Sequence, residues 1–213
     1  MKVLILSLFF VQAYCSCYFG STNPKIPNPQ FAGCDGSAPD KDETLLKLNG
    51  GKPIDYILNF KLKNYSNDLY PEMMTILPGI RSFGMTKNSF KTIPKDFFTP
   101  CSKNLQYLTI IDNKLESIDV DALLNLKNLK NLFLLKNENL KDFDIETLKN
   151  CNKLEILAVP AYTFNKLEVA KLKSYFPSLR SVGVYEGEED LVKDKANELK
   201  PLYHVFYEST VGL

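Results

Sequence analysis

Apolar residues recur along the middle of this chain in a spacing longer than any single helix or strand. Ile80, Phe83 and Met85 are followed by Asn88 and Phe90. Leu105, Leu108, Ile110, Asn113 and Leu115 repeat that arrangement. Leu129, Leu132, Leu134, Asn137 and Leu140 repeat it again, with one extra residue before the last position. Leu154, Leu157 and Val159 continue it with Tyr162 at the Asn place, and Leu179, Val182 and Val184 with Gly187 there. The starting positions Ile80, Leu105, Leu129, Leu154 and Leu179 lie 24 or 25 residues apart. A weaker copy, Leu58 and Phe60, stands one period upstream. A fixed period of this length marks a chain built by stacking one supersecondary unit.

Within each unit the apolar-x-apolar alternation predicts a short strand with every second side chain buried. The Asn can satisfy backbone groups where the chain leaves the strand. The remaining apolar positions fill the space behind the sheet. One unit cannot bury its own apolar face, so neighbours stack. At these positions the chain resembles the leucine-rich-repeat family, specifically its small secreted, extracellular animal members. Ile93-Pro94-Lys95-Asp96-Phe97-Phe98 and Ile118-Asp119-Val120-Asp121-Ala122-Leu123 look like the second half of that subtype's repeat. The resemblance covers residues 55–190. Two of the five copies lack the Asn, and the C-terminal cysteine cluster common among extracellular members is absent. The resemblance implies an α/β solenoid, with a curved parallel sheet on the concave side and short helices or turns on the convex side.

Smaller signals fill in the ends. Leu167, Ala170, Leu172, Tyr175 and Phe176 share a helical face between Asn165 and Pro177, which stops it. Asp144 is placed to cap a turn through Thr147 and Leu148. Residues 190–200 read as a polar helix covering the last repeat, and 202–207 as a final edge strand. Upstream, Leu45–Leu48, the turn Asn49-Gly50-Gly51 and Ile54–Leu62 read as a hairpin capping the sheet, or Lys41–Leu48 as a short helix. The predicted organisation is a signal peptide over 1–15, an N-terminal cap over 16–54, repeats over 55–190 and a C-terminal cap over 191–213.

The signal peptide rests on Lys2, the apolar run Val3–Val11 and small residues near Ala13. That run is too short to span a bilayer. Cleavage after Ala13 or after Cys15 both satisfy the small-residue rule; the later cut leaves an even set, Cys17, Cys34, Cys101 and Cys151. An even count suits the oxidising, extracellular route. Cys17 and Cys34 bracket a Pro/Gly/Asn-rich stretch that a bridge would order, worth about 3 kcal/mol on the loop-entropy argument. Cys101 and Cys151 occupy nearly equivalent places two repeats apart, roughly 10 Å across the sheet. A disulfide needs Cα atoms closer than about 7 Å, so they are expected not to pair. Asn64-Tyr65-Ser66 is the one unblocked glycan acceptor sequence.

Charge and motifs narrow the function. The chain carries 26 Lys and Arg against 25 Asp and Glu, and losing Lys2 balances them. That gives no basic excess for nucleic acid. His204 is the single histidine, and no nucleophile elbow, phosphate loop or dinucleotide fingerprint occurs. Asp142, Asp144 and Glu146 alternate without a calcium-loop glycine and read as a solvated edge; Glu186, Glu188, Glu189 and Asp190 read as a charged surface. The expectation is a protein without catalytic residues, metal or cofactor.

The residues between the leucines face away from the core. They are Ser82, Gly84 and Thr86; Tyr107, Thr109 and Ile111; Asn131, Phe133 and Leu135; Ile156, Ala158 and Pro160; and Ser181, Gly183 and Tyr185. None is charged, and the middle rows are mostly apolar. An exposed apolar patch on such a face calls for a ligand. The partner-binding set is therefore Tyr107, Thr109, Ile111, Asn131, Phe133, Leu135, Ile156, Ala158 and Tyr185. Cover by a terminal segment, or self-association, is the other reading. The function expected is a secreted module holding a protein partner, without nucleic acid or membrane insertion, or else a non-catalytic subunit or scaffold of a secreted complex.

Overall fold

A computed structural model describes residues 15–20, 31–36, 53–54 and 57–210, the first six by their backbone. The predicted signal peptide up to residue 14, and the predicted Leu45–Leu48 strand with its Asn-Gly-Gly turn, lie outside the described residues. The strands are β1 (Cys15–Gly20), β2 (Phe31–Gly36), β3 (Asn59–Lys63), β4 (Ser82–Thr86), β5 (Thr92–Ile93) and β6 (Tyr107–Ile111). They continue with β7 (Ser117–Ile118), β8 (Asn131–Phe133), β9 (Ile156–Ala158), β10 (Ser181–Tyr185) and β11 (Tyr203–Phe206). Nine of them form one sheet in the order β1-β2-β3-β4-β6-β8-β9-β10-β11, while β5 and β7 pair separately. Every neighbour pair is parallel except β1–β2.

The register follows the repeat. Phe60, Phe83, Leu108, Leu132, Leu157 and Val182 stand side by side across six strands, all buried. Among the described residues, Ile54–Leu62 makes no antiparallel pairing. Asn59–Lys63 instead joins the solenoid, parallel to β2 and β4. Its exposed-buried alternation matches the period of the neighbouring β4, and parallel stacking brings Phe60 to 5.5 Å from Phe83 between ring centroids. The antiparallel cap is β1 on β2, where Cys17 stands opposite Cys34 and Cys34 is disulfide-bonded.

Strands β4, β6 and β8 each end in the same left-handed turn. Lys87, Asp112 and Lys136 have φ of 56°, 56° and 53°, and each precedes a repeat asparagine. Asn88, Asn113 and Asn137 are buried and form a ladder. The Asn113 amide oxygen accepts from the Asn88 backbone N–H at 2.9 Å, and the Asn137 oxygen from the Asn113 N–H at 3.2 Å. The Asn137 Nδ2 donates to the carbonyls of Ile110, Leu134 and Leu135. Buried backbone groups that the strand no longer pairs are thereby satisfied. Glu188 takes over where the asparagines run out: its two carboxylate oxygens accept from Ala161 N–H at 3.2 Å and Tyr185 N–H at 3.0 Å. The acidic run thus holds a structural residue beside its solvated ones.

The convex side carries 3-10 turns and four short helices: α1 (Val120–Leu124), α2 (Ala161–Asn165), α3 (Val169–Tyr175) and α4 (Lys193–Glu198). Of the helical pattern over 165–176, only Val169–Tyr175 is one continuous helix, because Glu168 before it is extended (φ −100°, ψ 118°); α2 ends where the pattern begins, at Asn165. The polar terminal helix is a 3-10 turn, Glu189–Leu191, followed by α4. Asp144 caps the turn Ile145–Leu148, accepting from Glu146 N–H at 2.9 Å. Behind the sheet, Ile76, Cys101, Leu126, Cys151 and Phe176 recur every 25 residues, and all five are buried.

Cys101 and Cys151 are free thiols in that column. They donate to the Phe98 and Leu123 carbonyls at 3.4 and 3.7 Å. Burial pushes both up to about 12, against roughly 8.5 in an unfolded chain. The folded state therefore holds these protons more tightly. Its advantage is complete below about pH 8.5 and is lost as pH rises towards 12. At pH 8 a thiol reagent should leave both residues unmodified in the folded protein and label both in denaturant. Rapid labelling of the native chain would place them outside the core.

Candidate binding surface on the concave sheet

Side chains on the outer face of the sheet fall into three rows across the strands. The first runs Asn59, Ser82, Tyr107, Asn131, Ile156, Ser181; the second Lys61, Gly84, Thr109, Phe133, Ala158, Gly183, His204. The third holds Lys63, Thr86 and Ile111 from the same register, then Leu135, which follows β8, and finally Tyr185 beside Phe206.

The sequence-derived set divides in two. Tyr107 is 41% exposed, and Thr109, Asn131 and Ile156 are half-buried beside it. Ile111, Leu135 and Ala158 are fully buried, and Phe133 and Tyr185 nearly so. These five differ from the expectation of an open apolar patch. With Phe206 they form a second hydrophobic cluster, separate from the main core, against which Ile156 packs.

The cause is the small residues of the second row. Strands β8 and β11 are three steps apart, roughly 14 Å at the backbone. Yet the rings of Phe133 and Phe206 meet edge to face at 5.4 Å between centroids. Ala158 and Gly183 lie between them and leave a depression that the two rings fill. A Cβ on Gly183 would come within 3.0 Å of the Phe206 ring and would overlap the His204 carbonyl oxygen. At the rim, Lys136 Nζ lies 4.0 Å from the centre of the Tyr185 ring. The Tyr185 hydroxyl, with Glu208 and Asp112, raises the pKa of this ammonium.

Phe206, Lys61 and Lys63 join the surface beyond the residues expected from the sequence. Phe206 closes the cluster from β11; its signal was its alternation with His204 in a strand already expected at the edge. Lys61 and Lys63 give β3 an exposed basic surface on the concave side, with Lys63 Nζ 3.7 Å from Asp35. They were missed because the uncharged rows were read from Ser82 onward, and Leu58 and Phe60 are a weak copy of the repeat. His204 is exposed, its Nδ1 2.8 Å from the Leu202 carbonyl oxygen. Among the described residues no group of three His, Cys, Asp or Glu side chains is placed to hold a metal. No helix of the described residues is long and apolar enough to cross a membrane.

One strand per repeat, an asparagine ladder at the turns and short convex helices define the class: an α/β leucine-rich-repeat solenoid with a concave, mostly parallel sheet. No family model matches the chain. No curated protein matches it. Among solved structures, one described as the crystal structure of a TLR13–ssRNA13 complex is similar at 18% identity and a TM-score of 0.49. The match covers 73% of this chain and 26% of that one, so this chain spans about a quarter of the protein it matches.

Proposed function

We propose that this protein is a secreted, non-enzymatic binding module of the small extracellular animal type, which holds a protein partner on the first two rows of the concave sheet. The observation that carries this reading is Tyr107. It is a large aromatic side chain, 41% exposed, on a middle strand, bordered by the half-open Thr109, Asn131 and Ile156. An aromatic residue that keeps its ring in water on a rigid sheet supplies contact area at little ordering cost. The buried cluster beside it, against which Ile156 packs, forms the floor of the surface. The basic side chains of β3 border it at the other end and favour an acidic rim on the partner.

The test is Tyr107→Ala, compared with the unaltered chain for affinity to the partner recovered from its native secreted fluid. Truncating an anchor at an interface centre costs about 2 kcal/mol or more, so affinity should fall more than tenfold. Stability should change by less than about 1 kcal/mol. Unchanged affinity would move the interface off this face.

Secretion has its own test. Asn64 is exposed in a left-handed turn (φ 53°), with its Nδ2 donating to Asp35 at 2.7 Å. A glycosylated Nδ2 retains one N–H for that bond. A peptide map of the native protein should show a glycan at Asn64 and a Cys17–Cys34 crosslink. Unmodified Asn64 throughout, or Cys34 joined elsewhere, would count against passage through that route in this form.

A further inference from the structure

A second surface lies at the C-terminal end of the sheet, and it is independent of the concave reading. Among the described residues β11 pairs only with β10. Val182 N–H donates to the Leu202 carbonyl at 2.8 Å and Glu186 N–H to that of Phe206 at 2.9 Å. These bonds set the phase of the strand. Even-numbered residues direct their backbone groups to β10, so Tyr203 and Val205 direct theirs outward. Within Tyr203–Phe206 there is no proline, glycine or charged side chain, the usual devices that blunt an edge. Both outward residues are only half-buried.

The chain segment that carries this edge is acidic. Between residues 186 and 208 the chain has Glu186, Glu188, Glu189, Asp190, Asp194, Glu198 and Glu208 against Lys193, Lys195 and Lys200. Lys195 is bound to Glu198. The carboxylates of Glu189 and Glu188 lie close enough to Tyr203 to help raise its hydroxyl's pKa, after burial. Two large apolar side chains in this terminal stretch stand in water, Leu191 at 66% and Tyr207 at 47%.

We propose that β11 accepts an extended, basic peptide segment of a partner protein as an added strand, held by the outward backbone groups of Tyr203 and Val205 and by the acidic side chains around them. Main-chain pairing gives such a strand its affinity and side chains give it selectivity. A second copy of this chain fits less well, because edge-to-edge pairing of two β11 strands would set acidic surface against acidic surface.

The test uses the whole folded chain and three synthetic hexapeptides: acetyl-Lys-Val-Lys-Val-Lys-Val-amide, the same sequence with Glu for Lys, and the basic peptide N-methylated at alternate residues. The basic peptide should bind and slow amide hydrogen exchange at Tyr203 and Val205. N-methylation and the acidic sequence should each weaken binding at least tenfold. The variant Glu189→Lys with Asp190→Lys should weaken the basic peptide severalfold while leaving the thermal midpoint within a few degrees. Equal binding of the N-methylated peptide would overturn strand addition in favour of charge alone. Absence of binding by the basic peptide at millimolar concentration would overturn the proposal. So would sedimentation showing a dimer in which these amides are already protected without peptide.

Discussion

Asn137→Ala is expected to destabilise the protein by about 2–5 kcal/mol, as much as deleting a large core side chain. The side chain is fully buried. Its oxygen accepts from Asn113 N–H, and its Nδ2 serves three carbonyls, the closest at 2.7 Å. Alanine would leave several buried backbone groups of two adjacent repeats without partners, each costing about 1–3 kcal/mol. Because Asn88, Asn113 and Asn137 are linked in series, the loss should also reduce the cooperativity with which repeats unfold together. Urea unfolding with Asn139→Ala, an exposed neighbour, as control makes the comparison. The control should stay within about 0.5 kcal/mol. Equal midpoints for the two variants would show that the ladder is not a structural element.

The second large effect lies in the concave cluster. Phe133→Ser with Leu135→Ser should cost about 4 kcal/mol or more. Leu135 is fully buried and Phe133 nearly so, and each truncation removes packing and leaves a cavity. A pattern of inward leucines and outward intervening residues predicts the opposite, a change of less than about 0.5 kcal/mol for surface positions. Leu134→Ala, in the main core, is the reference at about 2–5 kcal/mol. The double variant should fall in or above that range by thermal or urea unfolding. If it unfolds like the unaltered chain, the outer cluster is open to solvent and Phe206 does not close it. The two truncations share neighbours, so their effects should not add.

The repeat was legible because its signal is periodic and local. Alternation, the Asn position and the spacing each follow from one strand and one turn, and the parallel register follows from stacking identical units. The edge strand over 202–207 and the Asp144 cap were readable for the same reason. The parallel placement of Asn59–Lys63 was not legible, because the weak copy at Leu58 and Phe60 stands beside a stronger Gly-Gly turn signal upstream. What covers the concave face was not legible. It depends on Phe133 and Phe206 reaching each other across Ala158 and Gly183, residues separated by up to 73 positions in the chain. Only the assembled curvature brings them together. Glu188 escaped notice for a similar reason: it does an asparagine's work from one position further along, so a column of matching residues passes over it.

The most direct test of the binding account is hydroxyl-radical footprinting of the chain alone and with its partner. In the free protein Tyr107, Tyr162 and Val120 should all be oxidised, since each is at least 41% exposed. Tyr107 lies on the concave sheet, whereas Tyr162 in α2 and Val120 in α1 lie on the convex side. Bound partner should suppress oxidation at Tyr107 severalfold and leave Tyr162 and Val120 unchanged. Protection of Val120 or Tyr162 with Tyr107 still reactive would contradict the account.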